Sequence, residues 1–191
     1  RVGSKHEVLG NTGSTHLLEH LMFKGTPTFN KKNGKSITDV LQNTGAQLNA
    51  TTWYDRTNYF ETLPSDKIEL AIQIEADRMR NSLLLKEDKE AEMTVVRNEF
   101  ERGENNPNSL LDKEIWASAY IAHPYHHSTI GWKSDIENAP IEVLKNFYNT
   151  YYWPDNATLT IIGDFKKENV FELIEKYFGK IINSSRRMQK L

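Results

Sequence analysis

The sequence of 191 residues contains no cysteine. Disulfides, thiolate zinc sites and a cysteine nucleophile are therefore excluded. No window approaches 18 apolar residues, so no segment is long enough to span a bilayer as a helix. Nor is there a surplus of one charge. Lys and Arg number 24 against 26 Asp and Glu, a net charge of −2, which argues against nucleic acid and against an anionic membrane surface as partners. The first residues, Arg1-Val2-Gly3-Ser4, carry neither an initiator methionine nor a signal-peptide pattern, and the expectation is that the natural start lies upstream. What is present suits a packed core: 8 Tyr, 8 Phe and 4 Trp in a chain that is 38% hydrophobic and 26% charged. That composition excludes collagen, low-complexity disorder and a disulfide mini-scaffold. The length fits one domain, or a piece of something larger.

Periodicity places the elements. A turn cluster, Leu9-Gly10-Asn11-Thr12-Gly13-Ser14, precedes an expected helix over 14–23. Residues 24–35 read as a loop broken by Gly25, Pro27 and Gly34, and 36–44 as a helix stopped by Gly45. The Thr-, Tyr- and Trp-rich run 47–62 predicts two β-segments around Tyr54-Asp55-Arg56. Helices are expected over 64–80, 86–104, 109–122, 140–151 and 169–179, with a strand over 157–163. Helices and strands mix without alternating one for one, which favours α+β over a doubly wound parallel sheet.

The chemistry concentrates in His16-Leu17-Leu18-Glu19-His20. At about 100° per residue, His16, Glu19 and His20 share one helix face, while Leu17, Leu18, Leu21 and Met22 form an apolar back. Two imidazoles at i and i+4 can chelate one ion from successive turns, and the carboxylate between them can reach a water held by that ion. A third ligand is needed. Glu92 and Glu99, seven residues apart, share a face of the 86–104 helix with Val95, Val96 and Phe100 beside them. Carboxylates on an apolar stripe ask for a cation, since burying an unpaired anion is costly. Two neutral imidazoles and one carboxylate leave a Zn2+ centre net positive, which acidifies a bound water, and Glu19 can take its proton. The alternatives are a solvated face carrying His and Glu, a second helix whose acids pair with Lys89 or Arg102, and a structural zinc, although such sites usually close with four protein ligands.

The pentapeptide and its surroundings resemble the pitrilysin/insulinase family of zinc peptidases, whose motif is the inverted H-x-x-E-H. The likeness extends over Gly10 to Thr15, His16 to Thr26 (HLLEHLMFKGT), Thr44 to Thr51 (TGAQLNAT), Arg97 to Glu101, His123-Pro124-Tyr125, Thr129-Ile130-Gly131 and Tyr151 to Phe165. It implies an α+β half-clamshell of mostly antiparallel sheet packed against several helices, with about two strands preceding Gly3-Ser4 and absent here. It implies one zinc per domain held by His16, His20 and Glu99, with Glu19 as general base and Glu92 as an acid behind the ligands. It implies that Asn49, Ala50 and Thr51 present main-chain groups to an extended peptide, added as an edge strand. The partners implied are a peptide or unfolded protein substrate and a homologous second half or partner subunit, and the resemblance implies that activity depends on that second half. Ser14-Thr15 stand where many members carry a more apolar pair, and little effect is expected.

The remaining features read more simply. His123, His126 and His127 crowd a loop and fit loop packing better than metal binding. His6 reads as an exposed turn residue, and Trp53, Trp116, Trp132 and Trp153 as core or interface aromatics. Residues 1–191 read as a single metal-bearing domain, with 184–191 as the start of a linker toward a second half. Three functions follow. The leading one is a zinc metalloendopeptidase. The others are a non-catalytic relative serving as a binding or assembly module, and a metal-binding structural domain. Non-catalytic relatives usually have a broken pentapeptide, and here His16, Glu19, His20 and Glu99 are all present.

Overall fold

The computed structural model describes residues 1–182. The expected linker at 184–191 lies outside the described residues. The fold is α+β, with eight α-helices and one two-stranded antiparallel sheet among the described residues. The chain forms two compact units, each built from separated stretches of sequence.

The first unit comprises residues 1–21, 51–58 and 84–148. It holds α1 (Ser14–Leu21), α4 (Lys86–Glu104), α5 (Pro107–Ala119), α6 (Lys133–Asn138) and most of α7 (Ile141–Tyr151). Leu17, Leu18 and Leu21 of α1 are fully buried, and α1 packs on α4, which supplies Val96. Ile136, Ile141, Leu144 and Tyr148 extend this core. Asn106 caps α5 by accepting from the N–H groups of Asn108 (2.9 Å) and Ser109 (3.3 Å), with Pro107 at the first helical position.

The second unit comprises 22–50, 59–83 and 149–182. It holds α2 (Ile37–Gln42), α3 (Ile68–Asn81), α8 (Lys167–Tyr177) and most of β1 (Gln47–Thr52) and β2 (Thr57–Thr62). Phe29, Ile37, Leu41, Ala46 and Ile74 form its core, with α3 packed against both α2 and α8. Arg78 is almost fully buried there, bonded to Glu61 (3.2 Å) and Glu75 and lying over the rings of Tyr59 and Phe23. Burial and the adjacent Glu75 push the Glu61 carboxyl well above the usual range.

Three expectations are corrected. The strand expected at 157–163 has no ladder partner among the described residues, and Ile162 is 92% exposed. A β-run acquires its hydrogen bonds only from a neighbouring strand, and here β1 and β2 pair with each other. The helix expected over 14–23 ends at Leu21, and the six-residue α6 was not expected. His6 is not an exposed turn residue: it is half-buried in a 3-10 turn, with its ring nitrogen 3.3 Å from the Gly3 nitrogen.

Candidate metal centre

The position of α1 is set before its first turn. The Glu7 carboxylate accepts from the N–H groups of Gly13 (2.8 Å) and Thr15 (2.7 Å), satisfying donors that a helix N-terminus leaves unpaired. Burial nevertheless pushes this carboxyl up to about 7. Asp135 of α6 accepts from Gly10 N–H (3.1 Å), Thr12 N–H (3.0 Å) and the Thr12 hydroxyl (2.8 Å). The Thr12 oxygen in turn accepts from Trp132 N–H at 2.9 Å. Gly13 and Gly131, both at φ +83°, meet back to back. A Cβ on Gly13 would sit 2.3 Å from the Ile130 carbonyl oxygen, and one on Gly131 would sit 2.4 Å from the Gly13 nitrogen. The glycine-rich lead-in is thus a clamp on the helix that follows. Ser14 and Thr15 are buried within it.

From this helix His16 and His20 project with ring centroids 4.7 Å apart and planes at 81°. Their Nε2 atoms are 3.3 Å apart. Glu99 of α4 brings its Oε2 to 3.4 Å from His16 Nε2 and 3.5 Å from His20 Nε2. Glu92, one face-repeat earlier on α4, accepts from His20 Nδ1 at 3.0 Å. That bond fixes the His20 tautomer and turns its Nε2 lone pair toward the triangle. Burial, and then the neighbouring His20, push His16 down to about 4, so at neutral pH it is an uncharged donor. His16 Nδ1 is buried with no hydrogen-bond partner among the described residues.

Tetrahedral zinc with bonds of about 2.0–2.1 Å sets neighbouring ligand atoms about 3.3–3.4 Å apart. The triangle of two Nε2 atoms and one Oε2 has that spacing, so the residues fit the ion. Among the described residues this is the one group of three metal-competent side chains that comes together. His123, His126 and His127 do not form another. His127 is buried with Nδ1 3.7 Å from Glu7, and His123 packs against the Tyr125 ring at 4.4 Å.

The sequence and the fold both have counterparts. Residues 1–133 match the family model described as insulinase (peptidase family M16), and 138–190 match that of the peptidase M16 inactive domain. The chain belongs to the insulinase family of peptidases. It is 37% identical over 185 residues to the zinc protease PqqE of Helicobacter pylori, covering 96% of this chain and 41% of that protein. It is 31% identical over 186 residues to a Schizosaccharomyces pombe protein named "probable mitochondrial-processing peptidase subunit beta", covering 97% of this chain and 40% of that one. The crystal structure of a protease from Helicobacter pylori superposes with a TM-score of 0.92 at 32% identity, over 99% of this chain and 46% of that one. The chain therefore spans about two fifths of the length of these relatives.

Within this peptidase family framework, Glu19 lies on α1 beside the two histidines and is buried. Its Oε2 accepts a hydrogen bond from the Thr52 hydroxyl at the end of β1. Burial raises its pKa above the usual carboxylate value, an effect opposed by the Thr52 bond and then by the nearby His20. Sequence reasoning passed over both Thr52 and Glu7. Thr52 directly follows Asn49-Ala50-Thr51, yet a threonine in a β-run is common and carries no signal by itself. Glu7 stands too far before α1 to read as its cap. Of the two valines beside Glu92 and Glu99, Val95 is 44% exposed and Val96 is buried, because only a narrow face of α4 packs.

Proposed function

We propose that this chain is the metal-bearing domain of a zinc metalloendopeptidase, with His16, His20 and Glu99 as ligands and Glu19 as the general base. The observation that carries the reading is the 3.3–3.5 Å triangle of His16 Nε2, His20 Nε2 and Glu99 Oε2, with the Glu19 carboxylate on the same helix. Zinc, when bound, supplies a Lewis acid that polarises the scissile carbonyl and acidifies water. Glu92 holds the His20 ring in register from behind. Glu19 has Oε2 engaged by Thr52, so Oε1 takes the proton from the attacking water and returns it to the leaving amine nitrogen. The products are a carboxylate and an amine, with no covalent enzyme intermediate.

Asn49, Ala50 and Thr51 belong to β1, and an extended substrate added along that strand would be held through its main chain, which permits many sequences. In the free strand Ala50 N–H bonds the Asn49 side-chain oxygen at 2.9 Å, and an incoming peptide would displace that bond. The substrate on this reading is a peptide or unfolded segment, and a homologous second half or partner subunit completes the enclosure. Among the described residues no helix is long and apolar enough to cross a membrane.

The test is Glu19→Gln in the protein at its full natural length. Zinc content is expected to stay at one per chain while peptide cleavage drops by at least ~100-fold. Cleavage at the wild-type rate would remove Glu19 from the role of base. Zinc retained with no cleavage by the wild type would favour a non-catalytic binding module.

A further inference from the structure

A general base has to offer one oxygen in a fixed direction, and nothing in α1 holds the Glu19 side chain at its tip. Thr52 does. Successive strand residues face opposite sides, and the two adjacent threonines divide accordingly. Thr51 donates to Asn58 Oδ1 across the hairpin at 2.6 Å, while Thr52 donates to Glu19 Oε2. The strand end that carries Thr52 is braced on several sides. Arg56 donates to Thr51 Oγ1 at 2.7 Å and also bonds Asn58. Trp53 N–H bonds the Arg56 carbonyl at 2.8 Å, closing the turn. The Trp53 and Tyr54 carbonyls accept from Ser4 N–H (3.1 Å) and Lys5 N–H (3.0 Å), where Gly3 approaches so closely that a Cβ would lie 2.2 Å from the Trp53 oxygen. The hydroxyl is therefore presented from a rigid mount, as positioning of a catalytic group requires.

We infer that Thr52 is the positioning residue of the base, its hydroxyl holding Glu19 Oε2 so that Oε1 is the oxygen that exchanges the proton. The inference rests on the peptidase reading above. Thr52 touches neither the ligand triangle nor the reacting atoms, so its loss acts on turnover and not on metal content. Because it is the last residue of β1, the strand proposed to receive substrate also aligns the base.

The experiment uses the protein at its full natural length, loaded with zinc, with a fluorogenic peptide as substrate. Thr52→Val removes the donor at constant shape, Thr52→Ser keeps it, and Glu19→Gln is measured beside them. Thr52→Val is expected to lower kcat about tenfold or more, with KM within about twofold, zinc content unchanged and the melting temperature within a few degrees. Thr52→Ser is expected to restore kcat to within about twofold of wild type. Should the valine variant melt early, Thr52→Ala reads the same loss. An unchanged kcat in the variants lacking the hydroxyl, equal losses for Val and Ser, or a loss of zinc in place of turnover would overturn the assignment. An inactive Glu19→Gln with an unimpaired Thr52→Val overturns Thr52 alone. An active Glu19→Gln overturns the peptidase reading and this one with it.

Discussion

On the proposed reading, Glu92 sets the quality of His20 as a ligand. Its bond to His20 Nδ1 is nearly sheltered from solvent, with 11% of its side chain exposed. A ligand imidazole without such a partner rotates more freely and is a weaker base. Glu92→Ala is therefore expected to weaken zinc affinity by ~10–100-fold, measured by competition with a chromophoric chelator. An affinity equal to wild type would show that the bond does not tune the ligand. Glu7 carries a different consequence. Its folded pKa of about 7 lies above the ordinary carboxylate value of 4.5, so the folded state holds a proton that the unfolded state releases. Its contribution is fully present below about pH 4.5 and is lost as pH rises toward 7. Wild-type stability is expected to decline across that window by about 3 kcal/mol from this group. Glu7→Gln is expected to flatten that part of the profile in denaturant titrations at successive pH values, and an equally steep decline in the variant would contradict it.

At the scale of elements, the sequence disclosed helices with a strong period and hid whatever depends on a distant partner. The apolar back of α1 reads directly from Leu17, Leu18 and Leu21, and all three are buried. The hairpin reads from its Thr-, Tyr- and Trp-rich composition. The apolar stripe singles out Glu92 and Glu99 among the acids of α4, and the choice of Glu99 as the proposed third ligand rests on the resemblance. The 157–163 run has strand composition but no neighbour to pair with among the described residues, and composition cannot announce that. Thr52 and Glu19 stand 33 residues apart on separate elements, so no short window of sequence contains the reason for their contact, whereas Glu7 and Gly13 are only six apart but lie in irregular turns that no period marks. The glycine clamp is an element-scale feature with its own test. Gly13→Ala puts a Cβ against the Ile130 carbonyl in a backbone conformation unfavourable to side chains. It is expected to cost more than ~2 kcal/mol and to lower the melting temperature by several degrees. Wild-type melting would show that the turn relaxes without strain.

For the molecule as a whole, the proposed ion would tie together two helices that sequence keeps apart, α1 and α4, within one compact unit. Binding to the folded state alone stabilises it by mass action, about 4 kcal/mol at a thousandfold excess over Kd. Stripping the metal is expected to speed amide hydrogen exchange chiefly in α1 and α4, and restoring zinc to slow it again. Exchange that does not respond to zinc in either helix would contradict this. Belonging to the insulinase family of peptidases accounts for the architecture. The proposed reaction depends on this chain's own side chains, first of all on those proposed to hold the ion.

The most direct test is the zinc content of the purified protein at its full natural length, wild type beside Glu99→Ala, by mass spectrometry of the metal after dialysis. One zinc per wild-type chain and well below one in the variant is the expected result. A wild type that retains no zinc after loading, or a Glu99→Ala variant that holds it as tightly, would contradict the convergence of His16, His20 and Glu99 on a single ion.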